Sequence, residues 1–319
     1  MTARTSQSPG PGTDSGTFVA MGVHVLDVLV RPVEAIPEGQ GGALVEQIKM
    51  TAAGSAGGTA LVLAKLGARV RSAGAIGTDP LGDALVALLE RDGVDTSLLV
   101  RRDGVQTSAS VLPIRPDGSR PAFHVVGANA TYGPGDVDWD AVGAASHLHL
   151  GGPEFMGGEA AAQILSGARE RGLTTSADIL APGDMGVLEW IADALPHLDY
   201  LLPNDEQVLG FTGERELEAG CRALVARGVG CVAATRGADG VLLVDAGGAE
   251  AAPAFAVDVV DTTGCGDAFS AGFLYGLALG RDRGAAARLG CATAALVAQG
   301  LGSDHGEYDL SAADALAAG

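Results

Sequence analysis

Lysine is nearly absent from this chain: of 20 basic residues only Lys49 and Lys65 are lysines, and the remainder are arginines. No Gly-Lys-Ser/Thr triplet occurs, which excludes a Walker-type P-loop. Schiff-base or pyridoxal-phosphate chemistry would have to use one of those two lysines, and neither has a persuasive context. Basic clusters are equally scarce, with none beyond the pair Arg101-Arg102, so no face can replace the counterions condensed on a nucleic-acid duplex. Apolar runs such as Val241-Leu242-Leu243-Val244 fall far short of the roughly 20 residues that span a bilayer. Neither nucleic acid nor a membrane is expected as a partner. The four cysteines, Cys221, Cys231, Cys265 and Cys291, form no CxxC pair and show no Cys/His ligand spacing. A zinc site and a disulfide framework are therefore not expected, and a reducing cytoplasm fits. Residues 1–16 are rich in Ser, Thr, Gly and Pro without an apolar core. They read as a disordered tail and not as a signal peptide.

What the chain does have is 319 residues, 49 glycines and a net charge of −19. That length makes two average domains or one large α/β domain. Strand-like segments are expected at residues 18–23, 43–50, 69–76, 147–150, 174–179, 200–202, 231–235 and 241–244. Helical segments are expected at 60–66, 83–90, 158–171, 186–195, 214–227, 267–279 and 284–298. Alternation at this spacing argues a mostly parallel sheet with helices on both faces. Between 107 and 127 the texture changes: 108–114 and 122–126 are β-rich and flank Arg115-Pro116-Asp117-Gly118-Ser119, a hairpin signal. With the strands after Ala20 and before Ala52, these pieces are expected to form a small separate sheet.

The most informative stretch is Asp261-Thr262-Thr263-Gly264-Cys265-Gly266-Asp267, after an apolar run and before a helical one. Glycines at 264 and 266 allow a tight turn that converges several N–H groups, and a helix beginning there adds its positive dipole end. A carboxylate aimed into such an anion site repels phosphate unless it takes a proton from the attacking group. That combination suits phosphoryl transfer to an alcohol. From residue chemistry alone, an Asp that merely caps a helix after a glycine turn explains the pattern equally well.

Residues 261–267 resemble the D-T-x-G-x-G-D signature of the PfkB, or ribokinase-like, carbohydrate kinases. The run from Ala53 to Ala60 with Leu63-Ala64-Lys65-Leu66-Gly67 is similar to that family's first signature. Residues 74–82 match its G-x-x-G-x-D-x-x-G stretch, Asn204 to Gln207 fall at its N-x-x-E motif, and 235–240 resemble its T-x-G-x-x-G nucleotide loop. The resemblance implies a ribokinase-like α/β domain over 17–319, with a β lid from about 27–52 and 107–127 that often forms a homodimer interface. It implies an ATP-dependent transfer of the γ-phosphoryl group to a hydroxyl of a sugar or related polyol. Asp267 is then the base, and the N–H groups of Gly264, Cys265 and Gly266 form the anion hole. Asn204, Gln207, Thr235, Arg236, Gly237 and Gly240 line the nucleotide side, and Asp27, Gly54, Gly57 and Gly58 the acceptor side. Mg²⁺ accompanies ATP, with Glu206 as a candidate ligand, and K⁺ is expected beside Asp261 and the loop around Gly302. An adenosine-type nucleoside kinase and a non-catalytic sugar- or nucleotide-binding regulator are the alternatives.

Three positions depart from the family pattern. Gly58 stands where Asn is usual, Gln207 takes the Glu position with Glu206 one residue early, and Asp178-Ile179-Leu180 replaces D-x-N. Specificity is therefore not expected to transfer with the chemistry.

Overall fold

The computed structural model describes residues 16–185 and 188–319. The expected tail lies, but for Gly16, outside these residues, as do the first two residues of the helix expected at 186–195.

Strand β1 (Thr17–Gly22) shows how the sheet is covered on both sides. Phe18 and Ala20 point into one apolar core, while Val19 and Met21 point into the other, as a period of two requires of a strand buried on both faces. The chain continues through β2 (Val25–Arg31), β3 (Gln47–Ala53), α1 (Ser55–Lys65), β4 (Arg69–Gly77), α2 (Pro80–Arg91) and β5 (Asp95–Arg102). Then come β6 (Ala109–Pro113), β7 (Phe123–Val125), the short α3 (Trp139–Val142), β8 (His147–Gly151), α4 (Gly158–Glu170) and β9 (Thr174–Asp178). The rest comprises α5 (Leu188–Ile191), β10 (Tyr200–Leu201), α6 (Asp205–Thr212), α7 (Leu217–Ala226), β11 (Cys231–Thr235), β12 (Val241–Asp245), β13 (Gly248–Ala252), α8 (Cys265–Ala278), α9 (Arg283–Val297) and α10 (Leu310–Ala318).

Nine strands form the main sheet in the order β13-β12-β11-β10-β9-β8-β1-β4-β5. Pairing is parallel from β5 to β11 and antiparallel for β12 and β13. This is the expected α/β architecture. Helices α1, α8 and α9 supply the core on one face, and α4 and α7 that on the other. The second sheet has the order β3-β2-β6-β7, built from the segments expected to form it. Its strand β3 begins four residues later than the expected 43 and runs to Ala53, because residues 43–46 make no ladder.

Other differences have physical causes. Strand β5 and helix α6 start on charged or amide-bearing residues, DTS and DEQ, that read as loop. Strand β13 is five residues of Gly, Ala and Glu, paired with β12 and anchored in the core by Ala252 alone among its side chains. The helix expected at 186–195 is described as helical only over Leu188–Ile191, followed by a 3₁₀ turn at Leu195–His197. Among the described residues no helix is long and apolar enough to cross a membrane.

Candidate functional site

Strand order reverses at β1, which lies between β4 and β8. In open parallel sheets the crevice beyond the carboxyl ends of strands at such a switch point is where ligands bind. The segments that meet there are the turn after β1, the start of α1, the loops after β8 and β9, and the start of α8.

The turn after β1 is clamped by Asn129, whose Oδ1 accepts from the His24 N–H at 3.1 Å and whose Nδ2 donates to the His24 carbonyl at 3.0 Å. The Val23 carbonyl in turn accepts from the Ala56 N–H at 3.0 Å, which brings α1 onto the end of β1. Gly54 makes this approach at φ +80, and a Cβ there would stand 2.7 Å from the Val23 carbonyl oxygen. Gly57 lies against the His24 ring. Gly58, one position on, faces Asp267: an added Cβ would fall on the Asp267 carboxylate, 2.8 Å from its carboxyl carbon. First and last motifs of the sequence thus meet at one point.

Helix α8 begins after Gly264, whose φ of +78 sets the left-handed N-cap that an L side chain adopts only with strain. A Cβ at that position would also collide with the Ser303 hydroxyl. Gly266 faces open space and belongs to the first helical turn, where N–H groups have no intrahelical acceptor. The Cys265 N–H is turned to the Thr262 carbonyl at 3.2 Å. Burial pushes the Cys265 thiol up to about 12, so it stays protonated, and its Sγ contacts the Ala294 carbonyl. Nothing here equips it as a nucleophile.

Asp267, in the first turn of α8, sits among carboxylates. Burial, and then the charges of Asp178 and Asp27, hold its carboxyl well above the usual range. Asp27 comes from β2, where it opposes Ser110 of β6. Burial raises it to about 6, with Ser110 and the Arg120 charge pulling the other way. Asp178 ends β9 and is also buried. One carboxylate oxygen of each, Asp27 Oδ1 and Asp178 Oδ1, is buried without a hydrogen-bond partner.

The loop after β9 is pinned from two sides. Glu154 Oε1 accepts from the Leu180 and Ala181 N–H groups, each at 2.8 Å. Gln207 Nε2 donates to the Ile179 and Ala181 carbonyls at 2.9 and 3.0 Å. Gln207 also closes a reciprocal capping box with Asn204 at the start of α6, at 2.8 and 2.9 Å. Both side chains of the N-x-x-E-like motif are therefore engaged in structure, and Glu206 between them is exposed. Glu154 was not recognisable from sequence, where it reads as a lone acid after a Gly-Gly-Pro turn.

On the nucleotide side, Thr235 bridges to Asn204 at the ends of β11 and β10. Arg236, Gly237 and Gly240 form a tight turn closed by the Arg236 N–H to the Gly240 carbonyl at 2.7 Å. The Arg236 Nη2 folds back onto the Asp239 carbonyl, while its Nε is buried without a partner. Cys291 of α9 lies close enough to feel the Arg236 charge, so α9 flanks this turn.

Both lysines are engaged by one loop. Lys49 donates to the Leu301 carbonyl at 2.6 Å and pairs with Asp304 at 2.7 Å, and Lys65 donates to the Gly306 carbonyl at 2.7 Å. Together they hold the 301–306 loop, which carries Ser303 against Gly264. Beside it Asp261 is buried: Oδ1 accepts from the Thr263 N–H and hydroxyl at 3.2 and 2.9 Å, and Oδ2 has no partner. Arg120, from the β6–β7 connection, reaches over this loop to Thr262 Oγ1 at 2.6 Å and to Asp261 at 3.4 Å.

Residues 21–308 match the model of the pfkB family of carbohydrate kinases. An ATP-dependent ribose-1-phosphate kinase of Halopiger xanaduensis is 32% identical over 249 residues, 78% of this chain and 80% of the relative. A ribokinase of Haemophilus influenzae is 26% identical over 252 residues, 76% of this chain and 79% of the relative. The structure of Arabidopsis thaliana ribokinase complexed with ribose and ATP superposes with a TM-score of 0.82 at 23% identity, covering 95% of this chain and 98% of that one.

Proposed function

The chain belongs to the pfkB family of carbohydrate kinases, which transfer a phosphoryl group from ATP to sugars, and from that premise we propose the acceptor class and the role of each residue. The acceptor is a neutral sugar or related polyol, whose hydroxyls supply the donors that Asp27 Oδ1 and Asp178 Oδ1 lack. Those orphaned buried oxygens carry the reading, since an acceptor group left unpaired in a dry site is costly and a polyhydroxyl ligand satisfies it. A phosphosugar would bring an anion among three carboxylates. Three cations nearby in sequence are engaged elsewhere: Lys49 with Asp304, Arg102 with Asp136 and Thr131, and Arg120 with Thr262 and Asp261.

Asp267 takes the proton of the acceptor hydroxyl as its oxygen attacks the γ-phosphorus, and the bond from that phosphorus to the β–γ bridging oxygen breaks to release ADP. A carboxyl held above the usual range is a stronger base at neutral pH than an exposed one. The N–H groups of Gly264 and Gly266 and the α8 dipole stabilise the charge on the moving group, while the Cys265 N–H is held by the Thr262 carbonyl. Thr235, Arg236, Gly237 and Gly240 bound the nucleotide, with the Arg236 guanidinium as its polar contact. Asn204 and Gln207 act at one remove, fixing the Thr235 bridge and the Asp178 loop.

Among the described residues no three His, Cys, Asp or Glu side chains are grouped to hold a metal. That supports Mg²⁺ arriving on the nucleotide phosphates and keeping its waters, with exposed Glu206 as at most one outer contact. The partnerless Asp261 Oδ2 beside the 301–306 loop fits a monovalent cation such as K⁺, which would offset negative charge next to the anion hole. One assay tests these points: ATP turnover with neutral sugars and polyols, phosphosugars and nucleosides, each in K⁺ and in tetramethylammonium. Turnover confined to neutral acceptors and favoured by K⁺ is expected. Preference for a phosphosugar or nucleoside overturns the acceptor class, and equal rates in both salts remove the cation.

The small sheet closes over the acceptor with Asp27, Ser110 and Leu29. Its opposite face exposes Ile48, Met50, Val111, Phe123 and Val125, a contiguous apolar surface of the kind an interface covers. A homodimer through this face is proposed, and Phe123→Glu is expected to halve the mass measured by sedimentation. A wild-type protein that sediments as a monomer at micromolar concentration sinks the proposal.

A further inference from the structure

A file of polar side chains runs through the apolar interior towards Asp267. His147 and His149 stand two apart on β8, and Ser176 and Asp178 two apart on β9, in a register that pairs His149 with Ser176. All four therefore share one face of the sheet, the face on which Phe18, the partner of His147, meets α8. All four are buried. His147 Nε2 lies 2.8 Å from Ser176 Oγ, and Ser176 Oγ lies 2.9 Å from His149 Nδ1. His149 Nε2 then faces Asp178 Oδ2 at 3.6 Å, an electrostatic approach beyond hydrogen-bond length that leaves Nε2 without a hydrogen-bond partner.

Proton positions in this file follow from its ends. A lone pair on His149 Nε2 would point at a carboxylate, so Nε2 carries the hydrogen and Nδ1 is an acceptor. The Ser176 hydroxyl has one hydrogen, which it donates to Nδ1. Ser176 Oγ accordingly accepts from a protonated His147 Nε2. Burial, helped by His149, lowers His147 to about 3, so that ring is neutral at working pH. Every dipole in the file then points its positive end at Asp178.

We propose that His149, held in one tautomer by Ser176 and His147, is a positioning residue that orients the Asp178 carboxylate beside the base. The inference rests on Asp267 being that base. An ionised neighbour raises the proton affinity of Asp267, and the acid limb of the rate profile belongs to the pair and not to either carboxyl alone. The charged and titratable groups facing the pair are Asp27 from β2 and Glu154 from the turn after β8, besides His149. Arg120 and Asp261 act on Asp27 in turn. None of these others touches the His–Ser–His file. Loss of the His149 ring lets the Asp178 carboxylate turn away from Asp267, and the proton affinity that its charge lends Asp267 falls.

The test is the pH profile of kcat/KM. His149→Leu is expected to move the acid limb towards lower pH by on the order of one unit, and Asp178→Asn to move it the same way. Ser176→Ala, which frees the tautomer, is expected to move it less and in the same direction. His149→Gln retains an N–H donor at the place of Nε2 and is expected to keep the wild-type limb. If His149→Leu does not fold, Ser176→Ala and Asp178→Asn carry the comparison. A limb unmoved in these variants, with only the melting temperature lowered, makes the file a structural feature and overturns the proposal. Asp267→Asn separates the two readings. Its loss of turnover alongside an unmoved limb overturns the file alone, whereas near-native turnover overturns the base assignment and the file's role with it.

Discussion

Asp267→Asn is expected to lower kcat on the order of 10³-fold, the scale of a lost general base, while raising the melting temperature at neutral pH. The activity loss follows from chemistry, since an amide of the same shape cannot accept the acceptor's proton. Binding of ATP is expected to survive, because the Thr235–Gly240 turn is untouched and the change leaves the backbone at the start of α8 in place. The stability gain follows from linkage. Folding raises the Asp267 carboxyl above its ordinary value through burial and the charges of Asp178 and Asp27. A group raised in this way contributes stability below its unfolded value, and that contribution is lost as pH rises through the folded one. Above that range the wild type holds a buried charge among like charges, and the amide does not. The difference in melting temperature between variant and wild type is therefore expected to grow from pH 4 to pH 8. Calorimetry across that range with a matched turnover assay checks both halves. A variant that is inactive but no more stable at pH 8 than at pH 4 would contradict the carboxylate cluster.

The parts of this site legible in the sequence are those contiguous in it. Residues 261–267 display their turn, helix start and carboxylate in seven positions, and the alternation after residue 147 specifies the parallel sheet. What register and crossovers assemble is not legible. Arg120 and Asp261 are 141 residues apart, and Thr51 and Asp304 are 253 apart. His149 and Ser176 face each other only because β8 and β9 pair in one register, and a slip of one residue would send both to the opposite face. The Asn204–Gln207 segment is ambiguous in sequence for a different reason. Amide and acidic residues at a helix start serve capping and ligand binding equally well, and here the capping box claims both side chains.

Gly58 is the departure from the family pattern with the largest expected consequence, and Gly58→Ala is expected to separate stability from activity. The residue lies inside α1, where Ala is favoured over Gly by up to about 1 kcal/mol. The added methyl, however, would occupy the place of the Asp267 carboxylate, with the Asp267 Cβ only 3.2 Å away. The contact is with the far end of a rotatable side chain and not with backbone, so the fold is expected to hold and the base to rotate off its line to the acceptor. A displacement of about 1 Å at a reacting group costs about 10²-fold in rate. The expected result is a kcat lowered by that factor, an unchanged KM for ATP, and a melting temperature equal to or above wild type. Gly58→Asn, which restores the residue usual in the family, is expected to impair turnover as well, because in this chain the space is filled by the carboxylate and not by substrate. Near-native turnover in both variants would mean that Asp267 works from another rotamer, away from α1. Rescue by Asn alone would mean that the acceptor pocket still follows the family pattern at this position.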